Sequence, residues 1–238
     1  MSIDNASQKV SGKTLEQFLE LHQKVNAAQR EGKVLAELSP ELQKAAGSLN
    51  DYIGGIADLS GQDLRRYPLA GANLSGADLS GCIHSGMALW NVDFTNATLC
   101  AARLDDTELT CSNLSHANLE HAVLRRAQID RSNFSHAYMT GTKLGFSHIH
   151  EADFSHAYLQ SADMEHTTLH EVNLREAVLR QADLRSADMR NVDLEDATVT
   201  DTLLDPASLA LILPQHSEEE HSAAGLLSTY FEHYSIPE

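Results

Sequence analysis

Three histidines, His116, His136 and His156, recur at a spacing of 20, each behind a serine, in the phrases SNLSHAN, SNFSHAY and ADFSHAY. Evenly spaced imidazoles suggest a metal site, and serine beside histidine suggests an activated nucleophile. Zinc requires its nitrogen ligands to converge at about 2.0–2.1 Å from one ion. Identical side chains stacked on successive strands stand side by side about 5 Å apart and do not converge. The expectation is therefore a solvated corner ladder, destabilised below about pH 6 when its members take up like charges. The pairs His150/His170 and Glu151/Glu171 read as surface ladders in the same way. Ser–His–Asp adjacency follows from the repetition itself. No Gly-rich phosphate loop follows a strand and no H-E-x-x-H occurs. The three cysteines, Cys82, Cys100 and Cys111, lack metal-type spacing. The expectation is a protein with no catalytic centre, no metal and no cofactor.

The element that sets these residues out is a repeat of five. From Ala57 to Pro206 the chain divides into 30 pentads without an insertion or deletion. The third residue of each, the centre, runs from Leu59 to Leu204, and 29 of 30 are Leu, Phe, Ile, Met or Val. His84 is the exception. Two positions earlier, 27 of 30 are Ala, Ser, Thr, Val or Cys. In an extended chain residues i−2 and i share a face while i−1 points away. A small and a large residue therefore face inward, and two polar residues make a corner. A period of five carries the apolar position around every face of a helix, which disfavours one. At a spacing of 20 the residue before the centre reads Asn73, Asp93, Asn113, Asn133, Asp153, Asn173, Asp193. Stacking of like residues at that spacing predicts four pentads per turn, an all-β solenoid of about 7.5 coils and roughly 36 Å.

Both ends need covering, since a terminal coil is an open sheet edge. Residues 1–56 contain a helix over 14–30 with Leu15, Phe18, Leu19, His22 and Val25 on one face. Ser39-Pro40 opens a second, with Leu42, Ala45, Leu49, Tyr52 and Ile53 on one side. This segment reads either as a cap or as a docking module. Residues 207–238 add an apolar helix, ASLALIL, and a second whose face holds Leu226, Leu227, Tyr230 and Phe231. That face serves as a lid or as a homodimer contact. Around 62–89 the inward pattern frays, with Gln62, Tyr67 and Met87 at the small position. A distorted coil that re-aims side chains and plain poor packing under the cap are both open readings.

The uninterrupted A(D/N)LXX pattern over 57–206 resembles the pentapeptide-repeat family. The resemblance implies a right-handed quadrilateral β-helix. Some members of that family imitate B-DNA and bind DNA gyrase or topoisomerase IV, protecting against quinolones. Others, of the Ala/Leu type seen here, include secreted effectors and regulators. In the best-known members C-terminal helices build an end-to-end dimer.

Net charge is −17, from 34 acidic and 17 basic residues. That argues against direct nucleic-acid binding and against adsorption to anionic membranes. By side of the turn, counted from the pentad at 57, the net charges are −3, 0, −3 and −5. The fourth side holds Asp93, Asp153, Asp193 and Glu195, while the second carries seven bases. The preferred expectation is a protein-binding scaffold, with outward-facing Trp90, Tyr138, Tyr158 and Phe146 as contact residues. The alternative is a DNA-mimicking topoisomerase inhibitor using the acidic side. The cysteine usage and the absence of a signal-peptide pattern suggest a cytoplasmic setting, or secretion without a classical signal.

Overall fold

A computed structural model describes residues 7–33, 38–53 and 56–205. Each pentad forms one short extended segment and one corner. At the corner the carbonyl of the centre accepts a hydrogen bond from the N–H three residues on, as from Ala97 N to Phe94 O at 2.9 Å. The residue before that donor has positive φ, between 50° and 64° at 22 non-glycine positions including His116, His136 and His156. Such a backbone costs an L-residue on the order of 1–2 kcal/mol. It persists because ladder bonds hold it from both sides, as where His116 N donates to Ser135 O at 3.0 Å. Gly61, Gly71, Gly76, Gly81, Gly86 and Gly141 take the same conformation without that cost.

The segments pair in parallel, and the bridges from Asp58↔Asp78 to Asp183↔Leu203 all join residues 20 apart. Where the pairing widens, strands form: β3 (Gln128–Asp130), β4 (His148–His150), β5 (Thr168–His170) and β6 (Asp188–Arg190), in one sheet of that order. The result is a β-solenoid whose interior holds all 30 centres, none more than 5% exposed. Alanines at the small position leave room for the large centre beside them. At five of the positions where that place carries a hydroxyl or thiol, the group hydrogen-bonds the carbonyl 23 residues back, while Thr107 and Thr167 bond the centre three residues back. Thr142 Oγ1 reaches Leu119 O at 2.9 Å, Thr202 Oγ1 reaches Leu179 O at 2.8 Å, and Cys82 Sγ reaches Leu59 O at 2.9 Å. Most buried hydroxyls of the interior are thus satisfied, Ser147 Oγ being an exception. His84 is different: it is fully buried with neither ring nitrogen hydrogen-bonded.

The N-terminal end is covered by α1 (Gly12–Arg30), capped by Ser11, whose hydroxyl accepts from Thr14 N. Leu15, Phe18 and Leu19 join one core with Leu59, Leu64 and Leu69 of the first coil. His22 is buried and bridges Ala45 O and Gly71 O at 2.9 and 2.8 Å. The second helix expected from Ser39 is two, α2 (Pro40–Ala45) and α3 (Leu49–Ile53). Ser48 causes the break: its hydroxyl caps Asp51 N, while Asp51 Oδ2 accepts from Ser48 N. A strand the sequence did not announce, β1 (Ser7–Lys9), pairs in parallel with β2 (Ile56–Asp58) and occupies the first coil's open edge. Gln62 and Tyr67 face this N-terminal assembly, with Gln62 Nε2 donating to Val10 O at 2.9 Å. Among the described residues no helix is long and apolar enough to cross a membrane.

Candidate protein-contact surface

The ladder places like side chains one rung apart, and the outward rows follow from that. His116, His136 and His156 stack with ring centroids 4.8 and 4.6 Å apart and planes within 2°. Two residues along the chain, Tyr138 and Tyr158 stack at 5.2 Å and 3°. The intervening Ala137 and Ala157 point inward, so the histidine row borders the tyrosine row. His156 Nδ1 lies 3.2 Å from Glu176 Oε2, which closes the histidine row at its lower end.

Trp90, Tyr138, Phe146 and Tyr158 are 47, 47, 50 and 40% exposed. They do not form one patch. Trp90 follows its centre two pentads round the turn from the tyrosine row, and Phe146 occupies a corner between, stacked on His166 at 4.9 Å. The tyrosine pair is therefore the one place where two of the expected aromatic contacts meet.

The acidic candidates have an internal task that the sequence did not disclose. Asp93 Oδ1 accepts from Thr95 N at 2.9 Å, Asp153 Oδ1 from Ser155 N at 2.9 Å and Asp193 Oδ1 from Glu195 N at 3.0 Å. Asn73, Asn113, Asn133 and Asn173 do the same for the backbone two residues on. The row is Asn or Asp because a short side-chain carbonyl or carboxylate builds each corner. Cross-rung amide contacts are secondary, as between Asn173 Nδ2 and Asp153 Oδ1 at 2.9 Å. Asp193 and Glu195 also share Arg175.

Five of the seven bases of the second side are tied up locally. Arg65 pairs with Asp63, Arg103 with Asp105, Arg126 with Asp106 and Arg185 with Asp183, while Arg125 crosses two rungs to Asp163. The hydrogen bonds from Arg65 hold the Asp63 carboxyl down to about 2, and those from Arg126 hold Asp106 below its usual range. Asp188 is lowered in the same way by Arg190 and His170. Among the described residues, the three side chains that could together hold a metal ion are His150, Glu151 and Glu171, all exposed, with ligand atoms within 4.8 Å of one another. His150 Nδ1 also lies 3.1 Å from Asp130 Oδ1. The dimer candidates Leu226, Leu227, Tyr230 and Phe231 lie outside the described residues.

Comparison with known proteins matches the family model "Pentapeptide repeats", in eight copies, over 57–83, 72–110, 107–145, 140–175 and 167–201. No curated protein matches. Among solved structures, the pentapeptide repeat protein Rfr23 of the cyanobacterium Cyanothece is 30% identical, covering 41% of this chain and 64% of its own, with a TM-score of 0.31. The chain thus spans less than two thirds of Rfr23. HetL of the cyanobacterium Nostoc, involved in heterocyst differentiation regulation, is 21% identical over 67% of this chain and 96% of its own, with a TM-score of 0.29. QnrB1, a plasmid-mediated fluoroquinolone resistance protein, is 15% identical over 67% and 97%, with a TM-score of 0.32. With its repeat matched from 57 to 201, this chain belongs to the pentapeptide-repeat family.

Proposed function

We propose that this chain is a non-catalytic scaffold, a right-handed quadrilateral rod of about seven and a half coils over 57–206 that presents its surface to another protein. In this reading residues 1–56 cap or dock one end and 207–238 cap the other or pair two copies, in a cytoplasmic setting. One observation carries it. The four exposed large apolar side chains among the described residues are all aromatic, and two of them stack into a ladder bordered by histidines. A stiff array of tyrosine rings loses little entropy on contact and anchors interfaces well. The test is a photo-crosslinking residue placed at Tyr138 or Tyr158, with Glu120 as a control on the same side. A discrete protein adduct at the tyrosines and none at Glu120 supports the reading. Equal or no adducts at all three positions sink it.

The topoisomerase reading has an observation of its own. Pairing of five of the second side's six arginines with neighbouring carboxylates shrinks its free cationic face, while the fourth side keeps a net −5. That favours mimicry of an acidic polymer by the side bearing Asp93, Asp153, Asp193 and Glu195. A DNA gyrase supercoiling assay separates the two: inhibition at micromolar concentration selects the mimic, and its absence leaves the scaffold.

A further inference from the structure

The departures at Gln62 and Tyr67 shape a hollow where the first coil meets α1. Its volume is about 600 Å³, and Gly12, Gln62, Asp63, Arg65, Arg66 and Tyr67 line it. A tyrosine cannot share the narrow interior with a large centre, so Tyr67 lies at the end of the rod, 97% buried. Its hydroxyl accepts from Arg66 Nη2 at 2.6 Å, and the guanidinium lies over its ring, 4.9 Å from the centroid. Among the described residues the hydroxyl's own proton has no acceptor. Gly12 leaves room for this pair: a Cβ would stand 2.6 Å from the Tyr67 hydroxyl and 3.2 Å from Arg66 Nη2, so the two side chains would have to shift.

The charges around the hollow favour an anion despite the acidity of the chain. Arg65 is spent on Asp63, with Nε and Nη2 donating to its two oxygens at 2.9 and 2.7 Å. Arg66 has no carboxylate hydrogen-bonded to it among the described residues; Glu16 and Asp63 act on it only through their fields. The first turn of α1 carries no acidic residue, and the amides of Gly12 and Lys13 have no acceptor among the described residues. A guanidinium, a buried phenol and Gly12, the residue that opens α1, thus line one hollow.

We propose that this hollow binds a phosphate monoester. A dianion with three terminal oxygens uses the Arg66 guanidinium, the Tyr67 O–H and the Gly12 amide together, and a flat carboxylate uses fewer of them. The size suits either a small phosphorylated metabolite or a phosphorylated side chain of a protein.

The experiment is a calorimetric titration of the full chain with inorganic phosphate, adenosine monophosphate and a phosphoserine peptide, against acetate and the unphosphorylated peptide. Saturable binding of phosphate, with one ester tighter, supports the proposal, and the tighter ester identifies the source as metabolite or protein. Arg66→Ala should weaken binding by about tenfold or more, since it removes charge-assisted hydrogen bonds. Tyr67→Phe, which keeps the ring, should weaken it several-fold, and Glu108→Gln, at an exposed position remote from the hollow, should leave it unchanged. Absence of saturable binding by all three probes overturns the proposal, as does acetate binding as well as phosphate or undiminished affinity in Arg66→Ala. Should Tyr67→Phe fail to fold, the exposed Arg66 decides alone.

Discussion

His84 should make the rod sensitive to acid, and the size of the effect follows from its position. It is the one centre that is not a simple apolar residue, fully buried, edge-on to Phe94 at 6.4 Å. Burial pushes its pKa down from 6.5 to about 4. Above pH 6.5 the ring is neutral in both folded and unfolded chains, and it adds no pH dependence. Between pH 6.5 and 4 the unfolded chain binds a proton that the folded one refuses, so stability falls as pH falls. At 1.36 kcal/mol per pKa unit the loss reaches about 3 kcal/mol near pH 4. His84→Leu removes the titrating group and the two unpaired ring nitrogens. The variant should be more stable by about 1–3 kcal/mol at pH 7.5, and its advantage should grow by about 3 kcal/mol on acidification. Urea unfolding of both proteins by circular dichroism, from pH 7.5 to 4, measures the gap. Taking the difference cancels the contributions of the other histidines and of the carboxylates. A gap that stays constant across the range would refute the assignment of a neutral, desolvated imidazole to the interior.

Three other outcomes follow from the same structure. Phe134→Ala, which empties a site stacked on Phe154 at 4.6 Å, should cost about 3–5 kcal/mol in urea unfolding. Asn133→Ala should cost about 1 kcal/mol by removing the acceptor for Ser135 N at 2.8 Å, whereas Asn133→Asp, which keeps one, should be nearly neutral by the same assay. Burial raises the Cys82 thiol to about 11 and leaves Cys111 exposed. A thiol reagent at pH 8 should therefore label Cys111 first and Cys82 only on unfolding, as peptide mapping by mass spectrometry would report.

The repeat was legible because a strict period of five leaves a small and a large inward residue in every segment, and side-chain identity reports the inside directly. The 20-residue register was legible at the Asn/Asp row, although its cause was not. Those side chains recur because each builds its own corner, a bond between residues two apart that stacking alone does not suggest. β1 was invisible because Ser7, Gln8 and Lys9 are polar, stay exposed and bury no apolar side chain, holding the edge by backbone pairing and by Lys9 Nζ on Asp58 and Ser60. The break between α2 and α3 depended on Ser48 capping Asp51, which competes with an apolar pattern that runs through it. At Gln62 and Tyr67 the sequence showed a departure and the structure supplied its reason, the docking of Val10 and Gly12. Among the contact candidates, outward direction was readable from position in the pentad. That Tyr138 and Tyr158 meet while Trp90 stands apart came from the ladder.

The ladder also sets a grammar for how such a chain can change length. Every bridge between coils of the rod joins residues 20 apart, so gain or loss of 20 residues passes each rung's partners to the next rung and lengthens or shortens the rod by about 4.8 Å. A change of five preserves inside and outside but carries everything downstream one pentad round the turn, shearing the histidine and tyrosine rows from their continuations. A change of one or two turns the interior out. Drift in length within such a gene is thus quantised, and the surface rows are the part of the molecule that records which quantum was used.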